Sequence, residues 1–251
     1  MSVIDFYDQL SPFYHLIYPD WEASVQRQSV QIDAVVREVW GTQVRTILDA
    51  TCGIGTQAIG LSQLGYSVTA SDISPRPVQR AKQEAAKREL TIEFGVADLR
   101  TLASSYREPF DLVIACDNSI PHLLSDEEIR VAFGEMYRCT TPSGGVLISV
   151  RDYDSSESAG TKVVPYGLRT DGRRRFLVFQ VWEFYGSIYD LSMYLVEDNG
   201  QSECAVHVMR SKYYAVPVAR LVELMTEAGF RAVRRIDDRF FQPLIVGSKV
   251  G

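Results

Sequence analysis

The stretch from Thr46 to Asp72, TILDATCGIGTQAIGLSQLGYSVTASD, constrains this chain more than any other, because it reads as strand, glycine turn, helix, strand and terminal acid. Thr46 to Thr51 is a short β-branched and apolar run suited to a buried parallel strand, and Gly53-Ile54-Gly55 lets the backbone turn sharply without Cβ clashes. The helix that follows brings its first amides toward a ligand. Ser67 to Ala70 forms a second strand, and Asp72 at its carboxyl end is placed to accept hydrogen bonds from the two hydroxyls of an unphosphorylated ribose. Such an order builds a nucleoside cofactor site.

Glycines alone do not choose the cofactor, since Gly53-x-Gly55-x-x-Ala58 also satisfies the dinucleotide fingerprint of nicotinamide-linked oxidoreductases. Asp49 discriminates. It ends the first strand just before the turn, where a carboxylate repels a pyrophosphate but suits S-adenosylmethionine (SAM), which carries an ammonium and a sulfonium. The run Leu48-Asp49-Ala50-Thr51-Cys52-Gly53-Ile54-Gly55-Thr56 resembles motif I of the class I SAM-dependent methyltransferases.

Further segments resemble that family in order. Gly95-Val96-Ala97-Asp98-Leu99 is similar to its third-strand motif, in which the residue matching Asp98 meets the adenine amino group. Phe110 to Asp117, with Cys116 and Asp117 bordering the transfer site, is similar to its fourth strand. Thr141-Pro142-Ser143-Gly144-Gly145 resembles the turn feeding its fifth strand. The resemblance covers about three quarters of the chain. It implies an α/β fold with a Rossmann-like seven-stranded sheet, helices on both faces, and SAM held by Asp49, Thr51, Cys52, Gly53, Gly55, Thr56, Asp72, Ile73, Ala97, Asp98, Leu99, Cys116 and Asp117.

The expected organisation is an N-terminal helical lid over 1–40, a SAM-binding core over 41–154, an inserted antiparallel β meander after the fifth strand over 155–216, and a closing helix with a reversed strand pair over 217–251. Within the insertion, Phe176 to Phe184, Ile188 to Val196 and Cys204 to Tyr214 read as three strands separated by turn formers. The meander either covers the substrate pocket or pairs subunits into a homo-oligomer. Ser74-Pro75 predicts the start of a surface helix through Leu90, and Ser125-x-x-Glu128 a capping box for a helix to about Arg138.

Asn118-Ser119-Ile120-Pro121-His122 and Arg151-Asp152-Tyr153-Asp154 follow strand ends on the ligand-binding edge and are locally similar to the glycine and sarcosine N-methyltransferases. In that group an arginine just after the fifth strand binds the substrate carboxylate, and Arg151 is the matching position. Asn118, His122 and Arg151 are therefore the expected catalytic residues, joined at the substrate by Tyr7, Tyr14, Tyr18 and Tyr153. His122 either takes a proton or orients substrate. Arg151 either clamps a carboxylate or pairs with Asp152 or Asp154, and the three N-terminal tyrosines either wall the pocket or pack a helix interface.

A net charge of −6 argues against tight polyanion binding, and Arg173-Arg174-Arg175 beside Asp171-Gly172 reads as a hairpin tip rather than a phosphate clamp. No apolar run reaches membrane-spanning length and no basic leader opens the chain, so the expectation is a cytosolic protein that acts on a small molecule, without nucleic acid or membrane. Cys52, Cys116, Cys139 and Cys204 lack paired spacing and are read as small, mostly buried residues. Neither they nor the three histidines suggest a metal. A nicotinamide-linked oxidoreductase and a non-catalytic SAM-binding regulator are the alternative functions.

Overall fold

A computed structural model describes residues 2–153, 159–200 and 203–251. Its strands form two sheets. Seven of them, β1 (Thr46–Asp49), β2 (Ser67–Asp72), β3 (Glu93–Val96), β4 (Phe110–Ala115), β5 (Thr140–Ser149), β10 (Arg231–Ile236) and β11 (Leu244–Ser248), lie in the order β10-β11-β5-β4-β1-β2-β3. β1 pairs in parallel with both β2 and β4, so the strand order reverses there and opens a crevice at the carboxyl edge. β11 runs antiparallel to β5, completing the reversed pair expected from the sequence.

Ile47, Leu48 and Asp49 of β1 are buried because helices cover both faces. One face packs Leu48, Val113, Ile148 and Phe133 against α5 (Asp126–Arg138) and α6 (Val218–Glu227). The other packs Ile47, Ile114 and Leu147 against α2 (Trp21–Trp40), α3 (Thr56–Gln63) and α4 (Pro75–Ala86).

The insertion is a second sheet of four antiparallel strands in sequential order: β6 (Thr161–Asp171), β7 (Arg174–Tyr185), β8 (Ile188–Asp198) and β9 (Ala205–Tyr214). Three strands were expected. β6 escaped the sequence reading because Pro165 and Gly167 interrupt its pattern, and the register slips between them. The inner face of this sheet, with Phe176, Val178, Leu191, Met193 and Met209, packs on Phe6 and Leu10 of α1 (Val3–Leu10) and on Leu16 of the 3₁₀ segment Ser11–Ile17. Arg173 lies in the β6–β7 hairpin turn, where Arg174 pairs with Asp171 at 2.6 Å and Arg175 pairs with Asp198 across to β8.

Other local expectations shift. α4 ends at Ala86 rather than Leu90, and Glu89 at φ 54° takes the chain out of the helix. Ser74 precedes α4, but its hydroxyl caps nothing there and reaches Ile4 O instead. The capping box at Ser125 is half formed: Ser125 Oγ accepts from Glu128 N, while Glu128 Oε2 takes the amide of Leu124. Thr141 to Gly145 lies inside β5 and is accommodated by a register slip against β4. Cys204 is exposed, unlike the three other cysteines, because it sits just ahead of β9. Asp154 and the expected boundary at 154–155 lie outside the described residues.

Candidate active site

The first loop is built by backbone geometry that only glycine accepts cheaply. Gly53 has φ 51° and Gly55 has φ 92°, and a side chain on Gly55 would press Ile59 Cδ1 at 3.0 Å. Gly55 is also the N-cap of α3 and offers no side-chain cap, so the first amides of that helix are left for a ligand or water. Trp21 Nε1 donates to Thr56 Oγ1 at 2.9 Å and ties α2 to the loop. Trp21 was not among the expected site residues.

Two carboxylates flank this turn. Asp49 is wholly buried, and burial pushes its pKa up to about 7 despite the amide of Thr51 at 3.4 Å. Asp72 accepts the amides of Gly53 and Ser74, each at 2.9 Å, one on each oxygen, and burial raises it to about 6. Each of its oxygens keeps a lone pair for a further donor.

A cavity of about 330 Å³ opens in front of these groups. It brings together Thr51 after β1, Asp72 and Ile73 after β2, Ala97, Asp98 and Leu99 after β3, and His122 in the 3₁₀ turn Ile120–His122 beyond β4. Tyr7 and Tyr14 line it together with Ser2, Val3 and Ile4 of the N-terminal segment. Asp98 is held by Arg100, which lowers its pKa, and Arg100 also reaches Glu128 at 2.7 Å. Arg100 and Glu128 line the cavity too; no sequence motif marked Arg100, and Glu128 was expected only as part of a capping box.

Asn118, Arg151, Tyr153 and Tyr18 do not line that cavity but form a polar and aromatic layer behind His122. Asp117 and Asn118 both adopt left-handed backbone at φ 59° and 64°, a strained pair at the end of β4. They are fastened by β5: the Asp117 amide donates to Ser149 Oγ at 2.7 Å, the Asn118 amide to Ser149 O at 3.0 Å, and the Arg151 amide to Asn118 Oδ1 at 2.9 Å. Tyr18 donates to Asp117 at 2.9 Å, and Asn118 Nδ2 donates to Tyr153 at 3.0 Å. Asp117 is shifted upward by desolvation, which the bond from Tyr18 and the charge of Arg151 partly offset. Cys52 and Cys116 are buried thiols whose pKa values burial raises well above normal, so they are inert fillers beside the loop and at the end of β4.

The half-buried Arg151 guanidinium lies over Trp182 at 4.8 Å and Tyr213 at 5.8 Å and donates to Tyr189 at 3.2 Å. Asp152 pairs with Arg235 at 2.5 Å. Among the described residues, phenols and an indole surround Arg151, and it forms no salt bridge. His122 is packed between Tyr7 and Tyr213, with Nε2 at 2.8 Å from the Tyr7 hydroxyl and Nδ1 at 3.3 Å from Ser211 Oγ. Desolvation pushes its pKa down to about 3, so the ring is neutral. Trp182, Tyr189, Ser211 and Tyr213 all come from the inner face of the second sheet, and the alternation in β9 was the one signal that put Ser211 and Tyr213 on a shared face.

These residues fit a cationic adenosyl ligand. Asp49 Oδ2 and Thr51 Oγ1 are buried and without hydrogen-bond partners among the described residues, at the place where an ammonium donor is expected. Among the described residues no group of His, Cys, Asp and Glu is arranged to hold a metal, and no helix is long and apolar enough to cross a membrane.

Known proteins resemble this chain in sequence and in fold. Residues 47–144 match a methyltransferase domain. A glycine/sarcosine N-methyltransferase of Parasynechococcus marenigrum (strain WH8102) is 30% identical over 144 residues, 57% of this chain and 50% of that one. Its namesake from Halorhodospira halochloris is 28% identical over 189 residues, 70% and 68% of the two chains. The matched segment thus spans half the length of the first relative and about two thirds of the second. Among solved structures, SAM-bound CalS10, an amino pentose methyltransferase from Micromonospora echinaspora, shares the fold at a TM-score of 0.77 with 14% identity, over 92% of each chain.

Proposed function

We propose that this chain is a class I SAM-dependent methyltransferase and that it methylates the nitrogen of a small amine that also carries a carboxylate. SAM, the family's cofactor, supplies an electrophilic methyl on a positively charged sulfur when bound. Asp49, Thr51, Gly53, Asp72, Ala97, Asp98 and Leu99 are the residues that would hold it. The nicotinamide alternative is disfavoured by Asp49, a buried acid that would sit under a pyrophosphate.

The observation that carries the substrate reading is Arg151. A guanidinium held over an indole, bonded to a tyrosine and without a carboxylate partner among the described residues is a half-made ion pair that an incoming carboxylate completes. The relatives named glycine/sarcosine N-methyltransferases support the same class of acceptor. Burying that pair beside Asn118 and Tyr153 fixes one end of the substrate. The amine is then directed toward His122 and Tyr7, at the wall shared with the cofactor cavity.

Transfer requires an amine lone pair. A bound sulfonium would supply the methyl to that lone pair and leave as a neutral thioether, so no acid would be needed for the leaving group. Positioning is most of what the protein must add. His122 does not act as the base in this scheme, because its pKa of about 3 lies far below that of an aliphatic ammonium. Instead it holds the Tyr7 hydroxyl, whose own pKa burial raises well above normal, as a fixed neutral dipole at the acceptor. The ammonium proton goes to water as the substrate is desolvated.

The test is release of S-adenosylhomocysteine across amino acids, other amines and phenols. Arg151→Ala is expected to raise KM for a carboxylate-bearing amine about 30-fold or more, the cost of a charged hydrogen-bonded pair, with SAM affinity almost unchanged. Equal losses in both would make Arg151 a scaffold residue. No turnover on any acceptor would leave the regulatory-module alternative standing.

A further inference from the structure

The second sheet has an outer face as well as the inner one that roofs the site, and two central rows of that outer face are apolar. The strand register aligns Leu168, Leu177, Val196 and Val206 in one row across β6, β7, β8 and β9. Leu168, Leu177 and Val206 are 57%, 47% and 55% exposed. In the next row, Phe179 and Tyr194 stack with centroids 4.9 Å apart and planes 3° from parallel. An antiparallel sheet with one face on a core should alternate apolar inside with polar outside, and here the central rows break that rule. A contiguous exposed patch of this kind marks an interaction surface.

We propose that this face packs against the same face of a second copy of the chain, forming a two-fold dimer in which two four-stranded sheets stack. Three observations choose that occupant. First, a flat face of β-branched and aromatic side chains is matched in shape by another such face, at the spacing of about 10 Å at which sheets pack. Second, the rims are charged but balanced: Asp190 pairs with Lys212 at one end and Arg175 with Asp198 at the other, which suits an isologous partner better than an acidic or basic one. Third, four strands about 4.8 Å apart and about ten residues long present roughly 600 Å² per copy, near the roughly 800 Å² per partner of a standard interface. Edge-to-edge pairing through β6 is disfavoured by Pro165 and the adjacent register slip. The insertion thereby serves both roles open to it in the sequence, since Tyr189 and Tyr213 point to the active site from strands whose alternate residues meet the partner.

Light scattering on the eluting full-length chain is the direct test. At about 50 µM the wild type is expected at twice its 28.2 kDa chain mass, and Leu177→Lys with Val196→Lys at the mass of one chain, with unchanged far-ultraviolet circular dichroism and retained S-adenosylhomocysteine binding. If the double variant does not fold, Val206→Lys gives the same reading at a single exposed position. A wild type of 28.2 kDa at that concentration, or folded variants that keep the doubled mass, overturns the proposal.

Discussion

Replacing Asp49 by Asn should stabilise the apo protein and weaken its grip on adenosyl ligands, both for the same electrostatic reason. Burial lifts the carboxyl from an ordinary 3.8 to about 7, so in the native state the acid prefers its proton. In the unfolded chain it ionises near 3.8. Between those values the native state binds more protons, and stability falls as pH rises through that window. At about 1.4 kcal/mol per pH unit the full cost is about 4 kcal/mol once the pH exceeds 7. Asn removes that cost but leaves an amide at the position where Asp49 Oδ2 has no partner, so about 2 kcal/mol of net stabilisation at pH 7.5 is expected, or a Tm increase of about 4 to 8 °C. Binding moves the other way. A carboxylate about 5 Å from an ammonium at an effective dielectric of about 20 contributes about 3 kcal/mol, so S-adenosylhomocysteine should bind Asp49→Asn about 100-fold more weakly at pH 7.5. Below pH 7 the wild type must first lose a proton, its affinity drops about tenfold per pH unit, and the two proteins should converge near pH 5. Calorimetric titration and thermal melts from pH 5 to 7.5 read both effects. A gap in affinity that does not change with pH, or an Asp49→Asn melting temperature no higher than wild type at pH 7.5, would refute the reasoning.

Gly60→Ala tests the contact between α2 and α3. Its Cβ would lie 2.6 Å from Ser29 Cβ and 2.7 Å from the Val25 carbonyl oxygen, and backbone there cannot retreat. Overpacking of about 2 to 3 kcal/mol should exceed the roughly 1 kcal/mol of helix propensity that alanine gains, and urea unfolding should show a net loss of about 1 to 2 kcal/mol. Tyr7→Phe removes the hydroxyl that bonds His122 Nε2 at 2.8 Å. On the acceptor identified in the amine panel, kcat is expected to fall about tenfold with S-adenosylhomocysteine affinity held within about threefold. Unchanged kcat would show the hydroxyl to be packing only.

Residues 46–72 made the glycine-turn half of the candidate site legible because each part of it is local. A buried strand, two glycines with positive φ, a helix start and an acid at the next strand end are adjacent in the chain, and a parallel βαβ unit has one favoured way to close. The same holds for Ala97, Asp98 and Leu99, which reach the cavity simply by following β3. Composition could not locate Arg100, whose place at the cavity depends on Glu128 from a helix twenty-eight residues later.

The sequence by itself determined the succession of the core strands along the chain and the presence of an antiparallel insertion, because hydrophobic period and turn chemistry are properties of neighbours along the chain. Tertiary structure decided what those pieces enclose. Only packing sets His122 between Tyr7 and Tyr213 and lays Arg151 over Trp182, in each case through a residue from a strand of the insertion. Only strand register aligns the outer row from Leu168 to Val206. Those contacts join residues tens of positions apart. Desolvation and cross-strand alignment depend on the folded surroundings of a group, which the one-dimensional pattern of residues does not contain.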